Sequence, residues 1–147
     1  MRADAKGGVA PAVTVHGLAH ALVALGAAGP RGVLLLSAPD AAARAGALWF
    51  LEVVRQARAA HPGVPCRAAL DCGAAPGLAL AAIRAGVEAV ILDPAVPAFA
   101  AVASAAAEAG VALWPERPAA LDLAGYDPRR RDDMARLRAW LSATGTP

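Results

Sequence analysis

Six residues whose side chains can bind, transfer protons or attack stand where short apolar runs end: His16, Ser37, Asp71, Cys72, Asp93 and Glu116. Asp71 is the most suggestive. Its carboxylate closes Cys66-Arg67-Ala68-Ala69-Leu70, and a carboxylate at the end of a buried run suits acid–base work. Cys72 follows it and could act as a thiolate nucleophile. With His16 it could also supply soft ligands to zinc. Each residue has a plainer reading. Asp71 can cap the next helix by accepting backbone N–H groups near Ala74 to Gly77, and all six can be solvated polar tips. Gly73 and Gly77 are too sparse for a dinucleotide-binding turn. Cys66 reads as a core thiol. His20 and His61 read as lying away from the tips.

Elements that bring such tips together are legible along the chain. Val13 to His16 reads as a strand and Leu18 to Ala28 as a helix, with Leu18, Leu22 and Leu25 at helical spacing. Gly32 to Ser37 is a continuous apolar strand, as expected where both sheet faces are covered. One helix is then expected from Asp40, its N-cap, to about Ala60, with Leu48, Leu51, Val54 and Ala57 facing inward. Cys66 to Leu70 is the third strand, and Pro76 starts the helix after it. Ala89 to Leu92 is the fourth strand, Phe99 to Ala109 a helix capped by Gly110, and Val111 to Trp114 the fifth strand. A Pro-containing connection runs to Tyr126. From Asp127 to Ala143 the chain becomes charged, with Met134, Leu137 and Leu141 as an amphipathic stripe.

The expected fold is therefore α/β: a parallel five-stranded βα repeat with a C-terminal amphipathic helix. A partial TIM-barrel-like arrangement and an open flavodoxin-like sheet both fit. The expected organisation is a flexible N-terminal arm over 1–11, one βα domain over 12–123, and a C-terminal helix and tail over 124–147. A net charge of +2 gives no electrostatic reason to expect nucleic acid or a membrane surface. Cys66 and Cys72, six residues apart on one strand, would stand roughly 20 Å apart, too far for a disulfide. Free thiols and a start without a signal-like apolar core point to the cytoplasm. The Arg129-Arg130-Arg131 run reads as a solvated face neutralised by Asp127, Asp132 and Asp133. Trp49, Phe50 and Trp114 read as packing residues.

In order and spacing, the chain from about Ala12 to Glu116 resembles the zinc-dependent (class II) fructose-bisphosphate aldolase family. Val13-Thr14-Val15-His16-Gly17-Leu18-Ala19-His20-Ala21 resembles the family's first strand and helix opening. Gly32 to Gly46 resembles its second strand and the S-x-G-A-x-x-Y-A-G turn, with Asp40 where glycine is usual. Val64-Pro65 through Asp71-Cys72-Gly73 resembles V-P-V-x-L-H-L-D-H-G. Ala85 through Asp93 resembles A-I-D-x-G-F-T-S-V-M-I-D-G-S, with Pro94-Ala95 in place of Gly-Ser. The resemblance implies the fold of the first βα units of a barrel. It also implies an acid/base role for Asp71. Cys72 stands where the family has a zinc-binding histidine. The further zinc histidines and the glycine-rich phosphate loops of later strands have no counterpart in this sequence.

Two functions follow as expectations. One is a non-catalytic, aldolase-like binding or assembly module that retains a small-anion site, for a phosphorylated or other anionic ligand, at the strand C-terminal ends. The other is an aldolase-like lyase, or a thiol- or metal-dependent enzyme, that uses Asp71 and Cys72 with help from His16, zinc being the implied metal. A five-stranded slice leaves two edges and an apolar inner face uncovered, so self-association is expected, or a flattened sheet with helices on both faces.

Overall fold

The computed structural model describes residues 10–143. The arm expected over 1–11 therefore lies outside the described residues except for its last two, as do residues 144–147 of the tail. The chain alternates strands and helices: β1 (Ala12–Val15), α1 (Leu18–Ala27), β2 (Val33–Ser37), α2 (Ala41–Arg44), α3 (Ala47–Ala60), β3 (Cys66–Asp71), α4 (Pro76–Ala85), β4 (Ala89–Ile91), α5 (Phe99–Ala109), β5 (Ala112–Trp114), β6 (Ala120–Asp122) and α6 (Arg131–Ser142). All strand pairs are parallel, in the order β5-β4-β3-β2-β1-β6. Strands β1 to β5 are neighbours in sequence order. A flavodoxin-like sheet instead places β1 between β2 and β3. No described helix is long and apolar enough to cross a membrane.

The sequence reading is corrected at four points. Among the described residues the sheet has six strands, because Ala120-Leu121-Asp122, expected within a connection, pairs with Ala12-Val13-Thr14. The single helix expected from Asp40 to Ala60 is two, broken at Gly46, whose φ of +88° suits glycine rather than a helix interior. Asp40 has a left-handed φ of +58° and makes no side-chain cap. Leu48, expected to face inward, is 75% exposed, because the break at Gly46 resets the rotation of α3.

Alternation along the strands sorts the core into two parts. Val13, Val15, Val33, Leu35, Ala68, Leu70, Val90 and Leu92 face the helices and share one core with Leu25, Phe50, Val54, Ile83, Val102, Leu137 and Leu141. Ala12, Leu34, Leu36, Ala69, Ala89 and Ile91 form a second core, packed by Ala112, Trp114 and Ala120, and no described helix contributes to it. The described helices thus cover one face of the sheet only.

The second core is buried because the sheet curls. Ala120 comes six residues after Trp114, a reach of at most about 22 Å. On a flat sheet, five strand spacings would separate β5 from β6, about 24 Å. The register also sets Trp114 four residues beyond the level of Ala120, roughly 13 Å along the strands. That diagonal of about 27 Å exceeds the reach of the connection, so the edges must bend toward each other. Leu36 is fully buried and Leu34 and Ile91 nearly so, within one chain. Of the two premises for self-association, the strand edges β5 and β6 stand, but the uncovered inner face does not. Nor does the flattened sheet, since curvature and the β5–β6 connection cover this face.

The C-terminal helix α6 packs against α1. It buries Leu137 and Leu141, and the Trp140 indole N–H donates to the Ala12 carbonyl at 2.7 Å, tying the helix to the start of β1.

Candidate functional site

The strands end at a common mouth, and its centre is an ion pair. Asp71, the last residue of β3, faces the concave side. Its Oδ2 accepts from Arg117 Nη1 at 2.9 Å. Its Oδ1 accepts the backbone N–H groups of Gly73 (2.9 Å) and Asp40 (3.2 Å). The Asp71 backbone N–H donates to Ser37 Oγ at 2.9 Å, and Ser37 donates onward to the Ala38 carbonyl. The expected bonds from α4 to the Asp71 carboxylate are replaced by this set: the chain bends back at Gly73, with φ +56°, and aims that N–H at the carboxylate. Arg117 lies mid-way along the β5–β6 connection. Its Nη2 also donates to Thr14 Oγ1 at 2.9 Å and the Ser37 carbonyl at 2.6 Å. One guanidinium thus ties the connection to β1, β2 and β3. The pair is largely shielded, with side-chain exposures of 8% for Asp71 and 24% for Arg117.

A second group flanks it. His16 Nε2 and Asp122 Oδ1, at the ends of β1 and β6, are 2.6 Å apart. The His16 backbone N–H donates to His20 Nδ1 at 3.0 Å, and the two rings meet edge to face at 5.6 Å. Burial of the His20 ring and the nearby His16 both lower its pKa, while Asp122 opposes them. Asp122 is held below the usual carboxylate range, chiefly by the Ala124 backbone N–H and then by His16 and Arg117. His20 therefore belongs to the mouth and does not lie away from it.

The remaining tips do not join this network. Asp71 and Cys72 are adjacent on an extended chain, so they point to opposite faces. Cys72 is buried in the helix-side core. Desolvation, and then the negative Asp71, push its thiol up to about 12, which keeps it protonated at neutral pH. A protonated thiol is neither nucleophile nor metal ligand. Cys66 is half-buried, its thiol also pushed up by burial. Both cysteines are free. Asp93 accepts the Ala95 N–H on Oδ1 at 2.9 Å and so closes its own turn. Glu116 is exposed.

A zinc site of the kind the resemblance implies does not fit these residues. Among the described residues no three His, Cys, Asp or Glu side chains form a group that could hold a metal ion. Cys72 faces away, Asp71 accepts from three donors, and His16 is paired with Asp122.

Sequence reasoning missed Arg117, Thr14, Asp122 and His20. Thr14 could have been found, since it is the polar residue of an alternating strand and so faces away from Val13 and Val15. His16 and His20 are spaced i, i+4 around a helix start, which also carries signal. Arg117 and Asp122 sit in a stretch without periodicity, and only the return of β6 to β1 places them here.

No known family model matches the chain, and no curated protein matches it.

Proposed function

We infer that the chain is a non-catalytic, aldolase-like binding or assembly module, whose mouth has been turned from chemistry to structure. The observation that carries this reading is the Arg117–Asp71 pair. The carboxylate that an aldolase-like enzyme would need for proton transfer has both oxygens engaged, by one guanidinium and two backbone N–H groups. A base so held is poorly placed to exchange protons with a substrate. The motif resemblance set out above supports descent from an aldolase-like barrel, and the sequential order of β1 to β5 is the order such a barrel has.

A small anion remains the ligand class to test at the mouth. Arg117 brings a guanidinium to the mouth, its charge offset by Asp71, and α4 and α5 begin without a capping side chain, leaving first-turn N–H groups free of one. Asp40, Asp93, Glu116 and Asp122 lie on the same end of the sheet and oppose a highly charged anion. The favoured ligand therefore carries one anionic group and hydroxyls that can donate, as a sugar monophosphate does.

A thermal-shift screen with sugar monophosphates and inorganic phosphate tests the binding part. A concentration-dependent rise in Tm that is lost in Arg117→Met supports it, and no shift with any of them removes it. Aldol cleavage by the zinc-supplemented protein, abolished in Asp71→Asn, would overturn the non-catalytic part.

A further inference from the structure

The His16–His20–Asp122 corner stands beside the mouth and carries a histidine bonded to the backbone. The His20 ring sits in the first turn of α1, with Nδ1 accepting the His16 backbone N–H at 3.0 Å. That bond fixes the tautomer: Nδ1 must be bare and the ring proton must sit on Nε2. A second proton can go only to Nδ1, where it would face an N–H head on. The ring would have to leave, and the His16 N–H would lose its acceptor.

We propose that His20 is an acid-sensitive latch on the β1–α1 corner: protonation drives its ring off the His16 backbone and opens the corner beside the mouth. The surroundings make the event local and sharp. Besides the His16–Asp122 pair, the bond to His20 is the side-chain brace of this corner among the described residues, since α1 starts at Gly17 without a capping side chain. The ionisable groups facing the ring are His16 from β1 and Asp122 from β6, with Arg117 of the β5–β6 connection beyond Asp122. Helix α1 carries no other ionisable side chain; of the helices packed against it, α3 buries Phe50, Val54 and Ala57 and α6 buries Leu137 and Leu141, and the charges of neither (Glu52, Arg55 and Arg58 on α3; Arg131, Asp132, Asp133, Arg136 and Arg138 on α6) are among the groups that shift His20. A protonated His20 would also sit 5.6 Å from the His16 ring, which is itself paired to Asp122. Opening the corner frees the His16 backbone that aims this ring at Asp122, so the disturbance reaches the end of the β6 edge.

The sign follows from linkage. Burial and His16 lower the folded-state pKa of His20 below its ordinary 6.5. The latch thus contributes stability above about pH 6.5 and loses it as pH falls through the lower, folded-state value.

The test is amide hydrogen exchange and histidine ¹⁵N NMR on the full chain between pH 7.5 and 4.5. At pH 7.5 the His20 Nδ1 shift should be that of a bare nitrogen, and the His16 amide should be protected. Below a midpoint under pH 6.5, that protection should fall about ten-fold per pH unit after correction for intrinsic exchange, while Leu35 in the sheet centre stays protected. In His20→Asn, whose Oδ1 can take the place of Nδ1 without titrating, the His16 amide should stay protected throughout. A protonated Nδ1 at pH 7.5, unchanged His16 protection at pH 4.5, equal loss in His20→Asn, or simultaneous loss at Leu35 would each overturn the latch.

Discussion

Replacing Arg117 with methionine removes the guanidinium while keeping an apolar stem over the concave core. The structure sets the scale of the damage. Asp71 would stay shielded with two backbone donors left and no counter-charge, while Thr14 Oγ1 and the Ser37 carbonyl would each lose a donor. Removing one partner of a fully buried pair costs about 3–5 kcal/mol. The 24% exposure of Arg117 and the two surviving donors reduce that figure, so the expectation is about 3 kcal/mol. Urea unfolding reads this as a lower midpoint at constant slope. Asp71→Asn should cost about 2 kcal/mol, because the amide keeps an acceptor for the backbone but turns an NH₂ toward Arg117. The double variant should lose less than the two singles combined, with a coupling of about 1–3 kcal/mol. A cost below about 0.5 kcal/mol for Arg117→Met, the value of an exposed pair, would refute the view that this connection seals the inner face.

Other outcomes follow from the same geometry. In a Cys66→Ala background, Cys72 should resist thiol reagents in the folded protein from pH 7 to 9 and react fully once unfolded; prompt native labelling would contradict its burial. Because its pKa is raised to about 12 from 9.0, this thiol contributes stability fully present below pH 9 and lost as pH rises toward 12. Alkaline urea titrations of Cys72→Ala should therefore show a weaker decline in that window than the parent. Gly32→Ala should cost at least about 2 kcal/mol, since φ is +72° and a Cβ there would strike the Pro65 carbonyl, whose oxygen accepts the Val33 N–H. A neutral result at that position would contradict the turn into β2.

The architecture was legible because it rests on local signals. Continuous apolar runs marked β2 and β4, and a glycine after a periodic segment marked the end of α5, where Gly110 takes a left-handed conformation. The split of α2 from α3 was hidden, since an Ala-rich stretch has high helical propensity and a single glycine does not announce its φ. Strand β6 was hidden because three residues after a Pro-rich segment carry no usable periodicity. The site was half legible. Asp71 was rightly placed at a strand end, but pairing it with Cys72 ignored the two-residue period that sends neighbours to opposite faces. Its actual partner, Arg117, lies 46 residues away in sequence. No spacing rule links them, because curvature of the whole sheet brings them together.

Whether the mouth is a structural seal or a metal-dependent active site is decided by calorimetric zinc titration of the metal-stripped protein with parallel elemental analysis. No stoichiometric uptake is expected, and the same heats for the parent, Cys72→Ala and Asp71→Asn. One equivalent of tightly held zinc, lost in either variant, would contradict the structural seal.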